Sequence, residues 1–342
     1  MPLRSGFVSI IGRPNAGKST LLNALLGEKI AIVTHKPQTT RNRILGVLEL
    51  PLRKKTAREP GRPAAQIVLV DTPGVHKPTS HLDKRMMQEV YDALESRDVV
   101  LFIVDATHRL HDASRTTPGN DRIALSAAED AFALSLLKHV ESPVILILNK
   151  IDAIRRTELL PLIAHWNEKH NFAAVVPISA KKKDGLETLL DHIVEYLPEG
   201  QRYFPKGQLT DQPERFLAAE IVREKILLYT GEEVPYASAV VVEKWEEPQS
   251  KKNPLTKIAA AIYVERSGQK AILIGKQGAM LKQIGTAARK EIESLTGTRV
   301  FLELFVKVKE DWRSSKGFVE DLDWRRQMEE IAARQAQDEN DE

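Results

Sequence analysis

Apolar segments of strand length alternate with segments of helical period over the first 200 residues. The strand-length segments are residues 7–11, 43–50, 66–70, 99–105, 144–148 and 174–178. Between most of them, apolar residues recur at three- and four-residue spacings, in residues 21–26, 82–94, 124–140, 158–169 and 186–197. Such alternation predicts an α/β domain with a mostly parallel sheet and helices on both faces. No helical pattern separates residues 43–50 from residues 66–70, so we expect these strands to form an antiparallel hairpin.

A different order of elements follows residue 212. Pro213 suits the first turn of a helix whose apolar positions continue to Ile226, and Gly231 suits its end. Two strand-like segments, a glycine turn between helical segments, and an alternating strand follow, at residues 237–245, 257–266, 275–278 and 300–308. The order helix, strand, strand, helix, helix, strand predicts a smaller α+β domain.

These patterns divide the chain into four parts. Residues 1–198 form the first domain, 199–212 a linker, 213–320 the second domain, and 321–342 a polar, acidic tail that we expect to be disordered. Two polar stretches, residues 53–65 and 107–121, are typical of insertions. Because residues 53–65 are rich in Pro, Gly and basic residues, we expect an extended mobile loop there.

A glycine-rich motif joins the first strand to the first helix. Residues 12–19 are GRPNAGKS, which matches the phosphate-binding P-loop pattern in its required place between a strand and a helix. The glycines allow backbone N–H groups to surround a phosphate, and the helix N-terminus favours its negative charge. Lys18 would neutralise β- and γ-phosphate oxygens, and Ser19 would supply one Mg²⁺ ligand. The candidate nucleotide-binding residues of this loop are Gly12, Arg13, Pro14, Asn15, Ala16, Gly17, Lys18, Ser19 and Thr20.

Three more short motifs follow buried strands and indicate which nucleotide binds. The first comprises Asp71, Thr72, Pro73 and Gly74, the second Asn149, Lys150 and Asp152, and the third Ser179, Ala180 and Lys181. Asp71 can reach Mg²⁺ through water, and the Gly74 N–H can sense a γ-phosphate. The Asp152 carboxylate accepts two donors, N1–H and the exocyclic N2 amine, which guanine has and adenine lacks. Asn149 can address N7, the Lys150 stem can cover the base, and a backbone N–H of the third motif can donate to O6.

Composition narrows the class of protein. Of the 342 residues, 42% are apolar and 28% charged, an ordinary globular balance. There is no cysteine, which excludes disulfides, thiolate metal sites and cysteine nucleophiles. No apolar run approaches the roughly 18 residues of a membrane-spanning helix, and the N-terminus lacks the pattern of a secretory signal. We therefore expect a cytoplasmic protein of at least two domains.

Positive charge is concentrated in the second domain. The net charge is +3, yet residues 257–309 hold ten Lys and Arg against four Glu, so the remainder carries about −3. A solvated face would show the same excess. Within this segment, however, a G-x-x-G turn lies between helical segments, where it lets the backbone clamp about four nucleotides of single-stranded RNA. The candidate RNA-binding residues are Ile274, Gly275, Lys276, Gln277, Gly278 and Lys282.

The motifs together resemble the Era family of bacterial GTPases over about residues 5–320. The resemblance rests on GRPNAGKS at 12–19, PQTTR at 37–41, DTPG at 71–74, NKID at 149–152, the SAK turn at 179–181, and PERFLAAEIVREKIL at 213–227 followed by EEVPYASAV. It implies a translation-factor-class P-loop GTPase domain followed by a type II KH domain. It also implies slow hydrolysis of GTP to GDP and phosphate with Mg²⁺. A further implication is binding to the 3′ end of 16S ribosomal RNA in assembly of the small ribosomal subunit, with nucleotide state controlling RNA binding.

The resemblance also implies roles for single residues. Thr39 and Thr40 of PQTTR would lie in the first switch loop, with Thr40 as the direct Mg²⁺ ligand in the GTP state. The expected metal set is Ser19, Thr40 and, through water, Asp71, and the expected catalytic set is Lys18, Thr40, Gly74 and Asn15. We expect a monomer that does not bind DNA. Peripheral association with the cytoplasmic face of the inner membrane through basic patches is left open.

One position departs from the Ras-like mechanism. Val75 follows DTPG, where a water-positioning glutamine would stand, and a valine cannot hydrogen-bond to water. Related GTPases with a hydrophobic residue there often use K⁺ held partly by a P-loop asparagine, the place that Asn15 occupies. K⁺-stimulated hydrolysis is therefore a hypothesis. Arg13 and Arg41 are weaker candidates for a catalytic arginine.

Two other classes of protein share parts of this pattern. A metabolic phosphotransferase could use the same P-loop, but Asp152 and two switch-type loops argue against it. A membrane-remodelling or tRNA-modifying GTPase could also share this P-loop. Such a protein would need a lipid-binding or modification domain in place of the basic second domain.

Overall fold

The structure, a computed structural model, describes residues 2–36, 38–56, 60–95, 97–107, 121–248, 252 and 254–340. The chain divides into two units, one of residues 1–77 and 86–211 and the other of residues 78–85 and 212–342. Each unit has its own hydrophobic core. Within the described ranges, no helix is both long and apolar enough to cross a bilayer.

A six-stranded sheet forms the centre of the first unit. Its strands are β1 (Arg4–Ile11), β2 (Ile44–Leu50), β3 (Ala65–Asp71), β4 (Val99–Asp105), β5 (Val144–Asn149) and β6 (Ala174–Pro177). They lie in the order β2-β3-β1-β4-β5-β6, and every neighbouring pair is parallel except β2 with β3. The α/β class and the antiparallel hairpin predicted from the sequence are therefore confirmed.

Helices alternate with these strands and cover the sheet. They are α1 (Lys18–Leu26), α2 (His81–Glu95), α3 (Asp121–Leu136), α4 (Leu159–Asn167) and α5 (Leu186–Tyr196). One core cluster includes Leu22 of α1 and Ile193 of α5, and another includes Trp166 of α4, whose ring meets Phe102 of β4 edge-on. β3 and β4 are buried along their whole length, as expected for strands covered on both faces.

The predicted insertion at residues 53–65 is anchored at both ends. Arg53 and Arg62 form an antiparallel bridge with backbone hydrogen bonds of 2.8 and 2.9 Å. Both guanidinium groups reach α5, where they pair with Glu187 and Asp191 at distances between 2.6 and 3.2 Å. The expected mobile loop is thus tied to the sheet domain by paired charges. Its residues 57–59, and residues 108–120 of the second predicted insertion, lie outside the described residues.

Residues 199–211, which make up all but the last residue of the linker predicted at 199–212, pack along the sheet of the first unit. The Gln66 side chain of β3 accepts the backbone N–H of Tyr203 at 2.7 Å. The N–H of Val47, on the edge strand β2, donates to the Leu209 carbonyl at 2.8 Å. The segment therefore satisfies polar groups of the sheet, a role that its irregular sequence does not reveal.

A three-stranded sheet forms the centre of the second unit. The elements of this unit after residue 212 are α6 (Glu214–Tyr229), α7 (Val234–Ala237), β7 (Ala239–Glu246), β8 (Leu255–Val264), α8 (Ser267–Ile274), α9 (Ala279–Thr296), β9 (Arg299–Val308), α10 (Lys316–Asp321) and α11 (Trp324–Asn340). β8 is central, antiparallel to β7 and parallel to β9. Ile226 of α6 and Ile284 of α9 pack with Ile262 of β8 in the core. The predicted order of helix, strand, strand, helix, helix, strand is confirmed.

The end of the chain differs from its prediction. The sequence predicts a disordered tail at residues 321–342, whereas the structure has helix α11 over most of this stretch. Arg, Gln, Met, Glu and Ala dominate it, and all are good helix formers. At its start, the ring of Trp324 lies 5.9 Å from that of Phe216 in α6. Acidic composition indicated disorder, but helix propensity and this aromatic contact favour a helix.

Candidate functional site

The P-loop lies between β1 and α1, as its sequence predicts. Gly17 caps α1 with a φ of 106°, and a β-carbon there would lie 2.2 Å from the side-chain nitrogen of Asn149. Lys18 Nζ donates to the carbonyls of Gly12 and Arg13, both at 3.0 Å. Burial lowers the pKa of Lys18 to about 8, although the nearby Asp71 carboxylate acts in the opposite direction. The loop therefore needs glycine at position 17 and encloses its lysine.

The three predicted metal ligands converge at the carboxyl end of β3. Ser19 Oγ donates to Asp71 Oδ2 at 2.6 Å and lies 2.8 Å from Thr40 Oγ1, which in turn donates to Asp71 Oδ2 at 3.3 Å. Among the described residues, the buried Asp71 Oδ1 has no hydrogen-bond partner. Burial raises the pKa of Asp71 to about 6, although Lys18 lowers it. Two hydroxyls beside a buried carboxylate with an unpartnered oxygen fit Mg²⁺, which prefers oxygen ligands.

Thr39 and Thr72, the sequence neighbours of Thr40 and Asp71, make hydrogen bonds outside this cluster. Thr39 Oγ1 donates to the Lys36 carbonyl at 2.7 Å, so Thr39 shapes its own loop while Thr40 reaches the metal cluster. On the other side, Thr72 Oγ1 donates to the Ile10 carbonyl at 2.8 Å. Of the two threonines of PQTTR, Thr40 is therefore the one that lies beside Ser19 and Asp71.

Pro73 and Gly74 carry the chain past the P-loop. A β-carbon at Gly74 would lie 2.7–2.8 Å from Pro14, so only glycine fits this close approach. The N–H of Val75 donates to the Gly12 carbonyl at 3.1 Å, and its side chain is fully buried in the core. Val75 is therefore turned away from any water in the cleft, which the P-loop, Thr40 and Gly74 line together.

The side chain of Asn149 connects three loops at the other end of the cleft. Its Nδ2 donates to the Ala16 carbonyl of the P-loop at 2.9 Å, and its Oδ1 accepts the Ala180 N–H at 3.0 Å. Because an amide nitrogen has two hydrogens, Asn149 can hold Ala16 and still address a base. The sequence predicts that a backbone N–H of residues 179–181 donates to guanine O6, and within this motif the Ala180 N–H donates to Asn149.

Asp152 lies exposed on the short helical turn after β5. Ser179 Oγ donates to Asp152 Oδ1 at 2.6 Å and accepts the Lys182 N–H at 3.1 Å. Lys181 belongs to the same loop as Ser179, and Thr20, in the first turn of α1, lines the phosphate end of the cleft. The serine therefore orients the carboxylate that the sequence assigns to base selection.

Arg13 and Lys150 meet two carboxylates that the sequence did not identify. Lys150 Nζ donates to the Asn15 carbonyl at 2.9 Å and to Asp105 Oδ2 at 2.6 Å. Arg13, only 5% exposed, pairs with Asp105 at 3.4 Å and with Asp130 at 3.3 Å. These contacts argue against Arg13 as a catalytic arginine, because its guanidinium is buried between carboxylates. Asp105 ends an apolar strand at the edge where ligands bind such sheets, a signal that could have found it.

The G-x-x-G turn joins α8 to α9 in the second unit. Gly275, Gln277 and Gly278 all have positive φ, of 71°, 52° and 79°. A β-carbon at Gly275 would lie 2.8 Å from that of Met280, whereas one at Gly278 would meet nothing within 4 Å. Lys276 is exposed at the turn. The turn therefore presents open backbone and positive charge together.

An apolar cleft of about 490 Å³ runs from this turn between α9 and β9. Leu281, Leu302 and Leu304 line it, and Lys282 and Arg289 lie at its border. Phe301, which is 52% exposed, lines it as well. Ile274 is half-buried and packs against the core. Sequence reasoning missed Arg289 and Phe301, although Arg289 is seven residues after Lys282 and so shares its face of the helix.

A P-loop with two adjoining switch segments on a sheet of this order defines a P-loop GTPase, and the second unit defines a KH domain. Models of two families match accordingly: "50S ribosome-binding GTPase" over residues 7–150 and "KH domain" over residues 233–313. Curated relatives cover both units. "GTPase Era" of Syntrophus aciditrophicus is 47% identical, over 90% of this chain and 91% of its own, and that of Ruminiclostridium cellulolyticum is 45% identical, over 95% and 99%. The chain belongs to the Era family of GTPases.

Two solved structures are similar over the same extent. One is a variant of Aquifex aeolicus Era bound to GDP·AlF₄⁻, and the other is Era in complex with MgGDPNP and nucleotides 1506–1542 of 16S ribosomal RNA. Each is 41% identical to this chain with a TM-score of 0.77, covering 93% of this chain and 98% of the solved one.

The contact between Gly17 and Asn149 predicts the effect of one added methyl group. Gly17→Ala should weaken binding of fluorescent GDP by about a hundredfold, because the β-carbon displaces Asn149 and left-handed backbone strain alone costs roughly 1–3 kcal/mol. The matched control is Gly27→Ala, at the other end of α1, with a φ of 75° and nothing within 4 Å of the added carbon. It should lower stability by about 1 kcal/mol but leave GDP affinity unchanged. Equal affinity losses in both variants would contradict the role of Gly17.

Proposed function

We propose that this GTPase is a nucleotide-controlled RNA-binding switch in assembly of the small ribosomal subunit. It binds GTP with Mg²⁺ in the cleft of the first unit, hydrolyses it slowly, and holds the 3′ end of 16S ribosomal RNA at the G-x-x-G turn. The convergence of Ser19, Thr40 and Asp71 carries the proposal, because it couples the P-loop to a segment that can respond to the γ-phosphate. The choice of a guanine nucleotide with Mg²⁺ and of 16S ribosomal RNA as ligands is supported by the family relative solved with MgGDPNP and 16S nucleotides 1506–1542.

Phosphate binding and hydrolysis follow from the residues around the P-loop. Lys18 neutralises the β- and γ-phosphate oxygens, exchanging its two carbonyl partners for phosphate. Ser19 and Thr40 would hold Mg²⁺ directly and Asp71 through water, and the ion would stabilise the negative charge that develops on GDP, the leaving group. Gly74, whose chain passes against Pro14, offers its N–H to the γ-phosphate. Loss of that phosphate would release Thr40 and Gly74 together, which is the basis of the switch.

Guanine selection is assigned to the loops after β5 and β6. Asp152, oriented by Ser179, accepts N1–H and the N2 amine, while Asn149 addresses N7. The Lys150 stem covers one face of the base. A base lacking the N2 amine would leave the Asp152 carboxylate half-satisfied, which is a strong basis for discrimination.

The assignment of Asp152 predicts a change of nucleotide rather than a loss of binding. Asp152→Asn should move preference from GTP to XTP, because an amide donates to the xanthine carbonyl that replaces the N2 amine. Competition of GTP and XTP against fluorescent GDP measures the change, which should exceed about tenfold in each direction. The control is Asp184→Asn, a neighbouring exposed carboxylate, which should leave preference for GTP intact. A variant at position 152 that still prefers GTP would refute the pairing.

K⁺ is proposed as a second cation of the reaction, because the buried Val75 cannot position water. Asn15 has a φ of 62° and its amide donates to the His35 carbonyl at 3.1 Å, which places it between the P-loop and the first switch segment. An oxygen ligand there could hold a monovalent ion near the transferred phosphate and offset its negative charge.

The proposal predicts that hydrolysis depends on the monovalent cation. At equal ionic strength, single-turnover hydrolysis should be roughly tenfold faster in KCl than in NaCl, a change of about 1.4 kcal/mol in the barrier. Asn15→Ala should remove this difference while the rate in NaCl stays close to that of the wild type. Equal rates in the two salts for the unaltered protein would exclude the second cation.

RNA binding is assigned to the turn and the adjoining cleft of the second unit. Lys276 and Lys282 attract the phosphates, and the left-handed backbone at Gly275 and Gly278 allows the chain to come close. Unstacked bases would lie on the leucines of the cleft. By the same proposal the protein acts as a monomer in the cytoplasm, without DNA, and any membrane association is peripheral.

The open space at Gly278 predicts an effect of charge without loss of fold. Gly278→Asp should weaken binding of a 3′-terminal 16S rRNA fragment at least tenfold, because the carboxylate repels phosphate. Gly278→Asn is the matched control: both residues tolerate left-handed backbone, so the neutral variant should lose about threefold or less. Affinities are measured with GDPNP and with GDP. Equal wild-type affinities in the two states would overturn the switch, and equal losses in the two variants would overturn the clamp.

A further inference from the structure

Four charged residues form a connected group at the carboxyl edge of the first sheet. Arg13 belongs to the P-loop, Asp105 ends β4, Asp130 lies on α3, and Lys150 follows β5. The two carboxylates are 4% and 7% exposed, and Arg13 is 5% exposed. The group is electrically neutral overall, which allows such burial. It connects the phosphate end of the cleft to the base end through side chains alone.

Asp105 is the member that contacts both cations. Its Oδ2 accepts Lys150 Nζ at 2.6 Å and lies 3.4 Å from Arg13 Nη2. Its Oδ1 accepts the backbone N–H and hydroxyl of Thr107 at 3.0 and 2.6 Å. Burial opposes ionisation, but the hydrogen bonds from Lys150 and Thr107 outweigh it and hold the pKa of Asp105 below its ordinary value. Asp105 therefore stays charged at neutral pH and keeps its hold on Lys150.

Lys150 depends on this contact for its direction. Its backbone is left-handed, with a φ of 68°, and its side chain is 38% exposed. A lysine with a long flexible stem loses much rotamer freedom when it is held in one orientation. Beyond Asp105, the described contact of Nζ is the Asn15 carbonyl at 2.9 Å, a neutral acceptor within the P-loop. The carboxylate is thus the stronger of the two restraints.

We propose that Asp105 is a positioning residue for nucleotide binding, which holds the Lys150 stem in place against the guanine base and the P-loop. The inference rests on the proposed role of Lys150 in covering the base. It extends that role because Asp105, which slows the release of bound nucleotide, lies at the end of β4, outside the four nucleotide-binding motifs. A preorganised stem loses no rotamer entropy when the nucleotide arrives, so the benefit appears in retention of the nucleotide and not in the chemical step.

The test substitutes Asp105→Asn in the full chain. Asparagine keeps the shape and the acceptor for the Thr107 N–H but removes the charge that holds Lys150. Release of fluorescent GDP should become about tenfold faster, and the KM for GTP should rise by a similar factor, while kcat changes by less than about twofold. The control is Asp130→Asn, which contacts Arg13 but not Lys150 and should leave GDP release within about twofold of the wild type. Measurements at pH 8 keep both carboxylates charged, since burial raises the pKa of Asp130 to about 6.

A double-mutant cycle separates positioning from a structural role. Lys150→Ala should also speed GDP release, and adding Asp105→Asn to it should have little further effect, because the restrained group is gone. Additive effects, or a fall in kcat as large as the rise in KM, would overturn the inference. If Lys150→Ala speeds GDP release but Asp105→Asn releases GDP at the wild-type rate, the inference fails while the proposed function stands. If Lys150→Ala itself changes nothing, the role of Lys150 fails and the inference with it.

Discussion

The side-chain amide of Asn149 is the contact on which the geometry of the nucleotide cleft depends. It donates to the P-loop at Ala16 and accepts from Ala180, and its nitrogen lies where a β-carbon on residue 17 would have to go. Three loops that follow three different strands are thereby held at fixed separation. The parallel sheet brings these loops to one edge, but a shared edge sets distances only to within a few ångströms. A buried, fully directional amide sets them to the length of a hydrogen bond.

Around this fixed frame, the metal cluster is built to respond to its ligand. Asp71 is fully buried, which raises its pKa, and it is stabilised by two hydroxyl donors from different segments. One donor, Ser19, belongs to the rigid start of α1, and the other, Thr40, belongs to an irregular segment. A ligand that competes for these groups therefore acts on the irregular segment first. The same contrast between one anchored and one releasable partner is the usual basis of nucleotide-dependent switching.

Sequence reasoning reached the elements and the motif residues but not their partners. Strand-length apolar runs located every strand of the first sheet, and the missing helix between residues 50 and 66 was enough to predict the hairpin. The pairing of Asp105 with Lys150 could not be predicted, because it depends on β4 and β5 being neighbours in the sheet, which the order of motifs does not state. The packing of residues 199–211 could not be predicted for a related reason. Its hydrogen bonds are made with polar groups of β2 and β3, which lie far away in the sequence. In the tail, the acidic and polar composition led to a prediction of disorder. The high helix propensity of the same residues agrees better with α11.

The bridge between Arg53 and Arg62 has a practical consequence. It lies near the amino end of β3, whereas the phosphate-binding loops all follow the carboxyl ends of the parallel strands. Ion pairs of Arg62 with Glu187 and Asp191 stabilise the bridge. We therefore expect the sheet to be insensitive to the length of the chain between the two arginines. We therefore expect this end of the first unit to accept a fluorophore or an inserted epitope without loss of nucleotide binding. Because the chain has no cysteine, a single engineered thiol there would be a unique site for labelling.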